Sequence, residues 1–136
     1  YYQWANDPAV RSNAFHSDPI EWEDHIKWFD ARLTSKRALL LVLQSSSDLL
    51  GQIRFEKDDN DDWVIDYSVD HAFRGTGLGQ LVVEKGIEYL RQREPAAYIK
   101  AEVKPTNQSS LKVFRKMGFQ ESTKKNIISF TYGERV

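Results

Sequence analysis

The sequence predicts an α/β domain built on a mixed, mostly antiparallel sheet flanked by helices. Three observations predict it. Three short β-rich runs follow one another between positions 38 and 69, joined by short polar turns, which is the pattern of an antiparallel meander. A glycine-rich turn then opens a long helical pattern that leads to another β-rich run, and such a crossover makes a parallel strand pair. The chain has 136 residues, 40% hydrophobic and 12% aromatic, which suits one core and not two.

Each element has its own signal. Asn6-Asp7-Pro8 starts a helix, with Asp7 as N-cap and Pro8 in the first turn. A second helix runs from about Glu21 to Leu33. Trp22, Ile26, Phe29 and Leu33 fall on one helical face, which is the expected core face, and Glu21, Glu23 and Asp24 place negative charge at its start. Ala38–Leu43 is a continuous apolar run, Ser45-Ser46-Ser47-Asp48 a turn, and Leu50–Phe55 an alternating strand. The acidic stretch Asp58-Asp59-Asn60-Asp61-Asp62 lacks the glycine and terminal glutamate of a calcium loop and reads as a solvated hairpin tip. Trp63–Val69 is the third strand. A helix from about Gly77 to Arg93 carries Val83, Ile87 and Leu90 on one face and ends before Pro95. Tyr98–Val103 is a strand parallel to Trp63–Val69. Asn107 opens another helix, which Gly118 closes, and Ile127–Tyr132 is the last strand.

Composition excludes several classes. There is no cysteine, so disulfides, thiolate nucleophiles and cysteine metal sites are ruled out, and a cytoplasmic setting is expected. No metal site is expected. No apolar run reaches the length of a membrane span. The start at Tyr1, without an initiator Met, reads as interior sequence, which leaves room for a further strand ahead of it. The net charge of -1 hides an asymmetry, with acids in excess up to Phe73 and bases in excess from Arg74 onward. The basic half suits an anionic cofactor and the acidic half a cationic acceptor, while scattered solvated charge explains the same counts. The basic half lacks an aromatic stacking platform, so no nucleic-acid partner is expected.

The segment Val69-Asp70-His71-Ala72-Phe73-Arg74-Gly75-Thr76-Gly77-Leu78-Gly79-Gln80 is the most informative. A strand ends, three glycines alternate and a helix begins, which presents backbone N–H groups at a helix N-terminus in the geometry that binds phosphate. Arg74 adds a cation with bidentate reach. A P-loop would need Gly-Lys-Ser/Thr where Gly79-Gln80-Leu81 stands, and the glycine spacing is not that of a dinucleotide fingerprint.

Arg74-Gly75-Thr76-Gly77-Leu78-Gly79 resembles the Arg/Gln-x-x-Gly-x-Gly/Ala signature of the GNAT superfamily of N-acetyltransferases. Asn107 to Phe119, an Asn after a strand followed by a helix ending in Gly-Phe, resembles that family's second signature. Together they cover residues 38–119, and the whole of 1–136 reads as a single N-acetyltransferase domain. The segments Trp4–Arg11 and Glu21–Phe29 resemble the branch that holds acetylases of amino-sugar nucleotides, as in pseudaminic acid synthesis, and that shades into ribosomal-protein acetylases.

The resemblance implies the acyl-CoA N-acyltransferase fold, with acetyl-CoA as acetyl donor. It implies that backbone amides of Gly75, Thr76, Gly77, Leu78 and Gly79, with Arg74 and Gln80 beside them, hold the pyrophosphate. It implies that the edge of Tyr67-Ser68-Val69 pairs with the pantetheine arm, that Asn107 and Ser110 contact it, that Phe114 packs near it, and that the two parallel strands splay around the thioester. The expected acceptor is a small-molecule amine or a peptide N-terminus, a non-catalytic acyl-CoA-binding domain is the alternative reading, and the protein is expected to be a monomer or homodimer.

Transfer by direct attack in a ternary complex suits a chain without cysteine. Glu102 is the first candidate for general base, in register with an acid of the ribosomal-protein branch, and a surface pair with Lys100 or Lys104 is the alternative reading. Asp66 is the second candidate, on the facing strand, although its alternation with Ile65 and Tyr67 points it to the opposite face, away from the splay. His25 is read as packed beside Phe29 or Trp28. Many family members carry a Tyr general acid where Phe114 stands here, and Tyr67 and Tyr132 are the candidate substitutes.

Overall fold

The computed structural model describes residues 1–14, 18–46 and 48–133. The elements are α1 (Tyr2–Ala5), α2 (Pro8–Asn13), α3 (Trp22–Leu33), β1 (Ala38–Ser45), β2 (Asp48–Lys57), β3 (Trp63–Val69), a 3-10 turn at His71–Phe73, α4 (Leu78–Arg93), β4 (Ile99–Val103), α5 (Gln108–Lys116), β5 (Gln120–Lys124) and β6 (Ile127–Tyr132). The predicted mixed sheet is there, in the order β1-β2-β3-β4-β6-β5. All pairs are antiparallel except β3 with β4. Ser47, in the predicted turn between β1 and β2, lies outside the described residues.

Period-two alternation gives the sheet two different faces. Ile53, Phe55, Trp63, Ile65, Ile99 and Ala101 are buried in one core cluster with Val83, Ile87 and Leu90 of α4 and Leu111 and Phe114 of α5. Gly86 lets α4 lie close on β2, where an added Cβ would come 2.6 Å from Ile53 Cδ1. The other face carries Gln52, Arg54, Asp66 and Ser68, cross-strand neighbours as Gln52–Ser68 and Arg54–Asp66. The N-terminal helices and α3 pack against that polar face, as the stacking of Arg54 over Trp28 at 5.0 Å shows.

The expected core face of α3 needs correction. Trp22, Ile26 and Leu33 are exposed at 54%, 38% and 59%, and His25 is the residue of this helix that is buried. The helix is turned so that His25 and Phe29 stack at 5.7 Å with Trp28 and Tyr1 beside them. Arg32 and Arg54 hold this orientation from below, since Arg32 pairs with Glu56 and both guanidiniums stack on Trp28. His25 is a packed aromatic partner, as read from the sequence, and burial holds its imidazole below the ordinary range.

Candidate active site

β3 and β4 pair only at Trp63–Ile99 and Val64–Lys100 among the described residues, and beyond that point they part. The expected splay is therefore present. From Ile65 onward the β3 edge facing β4 has no strand partner, and a cavity of about 920 Å³ runs through the opening. Its walls hold every predicted site residue except Thr76, namely Glu102, Asp66, Tyr67, Ser68, Val69, Arg74, Gly75, Gly77, Leu78, Gly79, Gln80, Asn107, Ser110 and Phe114. Thr76 is exposed and donates its hydroxyl to the Phe73 carbonyl at 2.6 Å, which shapes the loop from behind.

The glycine loop has a backbone that only glycine adopts without strain. Gly75 and Gly77 sit at φ +78° and +82°, and a Cβ on either would meet no heavy atom within 4 Å. Gly77 is the N-cap of α4 and brings no side chain to cap it, so the first N–H groups of that helix open towards the cavity. Arg74 holds the loop from the side. Its Nη2 lies 3.0 Å from Asp7 Oδ1, and its Nε donates to the Val69 carbonyl at 3.2 Å. The charge read from sequence as a phosphate ligand is thus spent partly on tying the loop to α2. Asp7 also caps α2 by accepting from the Ala9 N–H. Burial pushes the Asp7 carboxyl up, but the Arg74 hydrogen bond and charge together with the backbone N–H groups of Ala9 and Val10 outweigh it and hold the group below the usual carboxylate range. A second tie runs from Trp4 Nε1 to Asp70 Oδ1 at 2.7 Å, and this bond lowers the Asp70 pKa.

Asn107 caps α5 with its Oδ1, which accepts from Ser109 Oγ and the Ser110 N–H. Its amide NH2 has no partner among the described residues and stands in the cavity wall. Tyr67 and Ser110 bring their hydroxyls to 3.0 Å, on the α5 side of the opening. Burial raises the Tyr67 pKa against the opposing Ser110 bond, so the phenol stays protonated. Phe114 is 2% exposed and stands edge-on to Tyr67 at 5.8 Å, in a stack with Phe119 and Phe130. Tyr132 packs against Phe119 and under Arg91, so Tyr67 is the hydroxyl brought to the opening.

On the opposite face, Glu102 is exposed and has no ion-pair partner among the described residues. The alternative pairings are spent elsewhere: Lys100 pairs with Asp58 and Asp62, and Lys104 donates to the Ser12 carbonyl at 3.3 Å. Asp66 shares the Glu102 face, not the opposite one that its alternation predicted, because β3 and β4 run parallel in matched register, and it is tied to Arg54 at 2.8 Å. Sequence reading missed the rest of this chamber, where Tyr1, Asp24, His25, Trp28 and Gln52 line the wall. The dense aromatics of α3 were the available signal. It also missed Lys112 and Lys116, cavity residues one turn apart on α5.

A family model described as "Acetyltransferase (GNAT) domain" matches residues 1–120, and the chain belongs to that family. Solved structures agree on the fold. A domain from Methanocaldococcus jannaschii DSM 2661 is similar at TM-score 0.80 and 17% identity, over 98% of this chain and 89% of that one. A ribosomal-protein-alanine N-acetyltransferase from Brucella melitensis is similar at TM-score 0.77 and 16% identity, over 97% and 92%. The Campylobacter jejuni N-acetyltransferase PseH, solved with acetyl coenzyme A, is similar at TM-score 0.72 and 16% identity, over 84% and 80%. A comparison with curated proteins finds no match. No helix among the described residues is long and apolar enough to cross a membrane.

Proposed function

We propose that the protein is an N-acetyltransferase that moves an acetyl group from acetyl-CoA to a primary amine by direct attack. The observation that carries this reading is the opening between β3 and β4. It ends at an uncapped helix N-terminus on one side and at Glu102, a carboxylate without an ion-pair partner among the described residues, on another. The residues fit the donor. The α4 N-terminus at Gly77–Gln80 suits a diphosphate, the free β3 edge suits the amide-bearing pantetheine arm, and the Asn107 NH2 offers one more donor beside it. When bound, acetyl-CoA supplies an activated thioester. Glu102 then takes the proton that the amine loses, directly or through water. On the other face, the Tyr67 hydroxyl, backed by Ser110, donates the proton that the leaving sulfur needs, a role that Phe114 has no group to fill.

The first reading of the acceptor is an amino-sugar nucleotide. It rests on the resemblance of the N-terminal segments, with Arg11 and Arg54 at the chamber wall to meet phosphate. The second reading, a peptide N-terminus, is favoured by the carboxylates of Asp24, Asp66 and Glu102 lining the same chamber while Arg54 is engaged with Asp66. The test is isothermal titration with acetyl-CoA, followed by thiol release with a 4-amino-sugar nucleotide and with peptides as acceptors. Turnover on one of them assigns the acceptor. Absence of acetyl-CoA binding refutes the donor assignment.

A further inference from the structure

Gln52 carries a buried oxygen that nothing in the described fold satisfies. The residue sits on β2 and is 4% exposed. Its Nε2 donates to Ser68 Oγ on β3 at 3.1 Å, and its Oε1 has no hydrogen-bond partner among the described residues. Ser68 is itself 8% exposed, and with its oxygen accepting from Gln52 its hydroxyl proton points elsewhere. Both side chains line the cavity on the face shared by Arg54, Asp66 and Glu102. A buried carbonyl without a partner is destabilising, and folded proteins keep few of them. In a pocket wall such an atom suits a ligand that arrives with a donor.

We propose that Gln52 is a specificity-determining residue of the acceptor chamber. Its Oε1 accepts a hydrogen bond from the acceptor molecule, and the neighbouring Ser68 hydroxyl donates one back. The group that satisfies both is one that donates and accepts through the same few atoms, a hydroxyl or an amide close to the reacting amine. An amino alcohol unit, as in an amino sugar, and the first peptide bond of a chain both provide it. A plain alkylamine provides neither bond. The inference rests on the acetyltransferase reading and adds to it what the acceptor must carry beside its nitrogen.

The test compares ethanolamine, 2-methoxyethylamine and propylamine as acceptors at saturating acetyl-CoA, in wild type and in Gln52→Met, which keeps the side-chain length and removes the amide. In wild type the KM for ethanolamine is expected to be lowest, by on the order of fivefold per hydrogen bond. In Gln52→Met that advantage over propylamine shrinks on the order of fivefold, because the ethanolamine KM rises more than the propylamine KM. A role confined to holding β2 to β3 would instead lower the melting temperature and raise all three KM values together, which overturns the proposal. Wild type that turns over none of the amines, or all three equally, also overturns it. Heat on adding acetyl-CoA in that case leaves the acetyltransferase reading standing, and no heat removes both.

Discussion

Gly77→Glu tests the phosphate cradle, because the structure separates its cost to folding from its cost to binding. A Cβ at Gly77 meets no heavy atom within 4 Å, so no clash follows. The backbone cost remains, because φ is +82° and a residue with a Cβ in that region costs about 1–2 kcal/mol. For a chain of this size that lowers the melting temperature by roughly 3–8 °C and leaves the protein folded at 25 °C. Binding loses more. A carboxylate about 5 Å from one phosphate charge is repelled by about 0.8 kcal/mol in water and about 3 kcal/mol at an effective dielectric of about 20. Two phosphate charges double this to about 1.7 and about 6.6 kcal/mol, so the affinity for acetyl-CoA falls between roughly 15-fold and roughly 50,000-fold. The companion variant Gly77→Gln has the same strain and bulk without the charge. Calorimetric Kd values for the two variants give the electrostatic part as their ratio, and raising the salt concentration shrinks that ratio. A folded Gly77→Glu variant with wild-type affinity, or a ratio of one, refutes the placement of phosphate at this helix end.

Tyr67→Phe is expected to lower kcat on the order of 100-fold with little change in acetyl-CoA affinity, and the double variant Tyr67→Phe/Phe114→Tyr to regain part of it from the adjacent ring; kcat without that regain, measured by thiol release, counts against the acid role. Asp7→Ala removes the α2 cap and the Arg74 partner together, and a loss of about 1–3 kcal/mol is expected in urea unfolding, with weaker acetyl-CoA binding as the glycine loop loses its tie. Gly51→Ala puts a Cβ 2.6 Å from the Ser68 carbonyl oxygen, a backbone atom that moves only if β2 and β3 part, so the urea midpoint falls by the equivalent of about 1–3 kcal/mol. The Lys100 hydrogen bond lowers the Asp58 pKa, so its contribution is present above the ordinary aspartate range, near 3.9, and is lost as pH falls through the depressed value; the stability gap between wild type and Lys100→Met should be flat near neutrality and close below about pH 4.

Elements with strong local signals were legible. Trp63–Val69 and Ile127–Tyr132 have the expected bounds, and Asp7, Gly77, Asn107 and Gly118 mark helix ends as their residue types suggest. The elements without such signals were not. α1 is four residues long, too short for any periodicity. β5, Gln120–Lys124, is exposed at every position, so no apolar alternation marks it. Its hairpin turns on Lys125 and Asn126 at φ +48° and +60°, the geometry usually announced by Asn-Gly. The face of α3 was misjudged because aromatic residues stand on both of its sides, and hydropathy ranks Ile26 and Leu33 above His25. What decides the rotation is outside the helix: Tyr1, Arg54 and Glu56 reach it from elsewhere in the chain. The glycine loop is a contiguous motif and could be read. The chamber on the other face is assembled from separate segments of the chain, and the unpartnered Gln52 oxygen in its wall exists only once β2 and β3 are in register.

That register also fixes which chemistry stands on which side of the opening. β3 alternates Ile65 and Tyr67 towards α5 with Asp66 and Ser68 towards the N-terminal helices, so the Tyr67 hydroxyl and the polar chamber wall come from neighbouring residues of one strand. A slip of one residue would exchange them, sending Asp66 into the aromatic stack of Phe114 and Phe130 and Tyr67 into the chamber. The slip is blocked from both faces. Trp63 and Ile65 are buried at 5% and 6% in the core, and on the other side the Arg54–Asp66 and Gln52–Ser68 pairs are made only in this register. β4 parts from β3 just beyond Val64, so the opening begins where the locked strand starts to present Tyr67 to one side and Ser68 to the other. The strand that frames the opening therefore holds its two opposed groups in place through its own packing, before any ligand arrives.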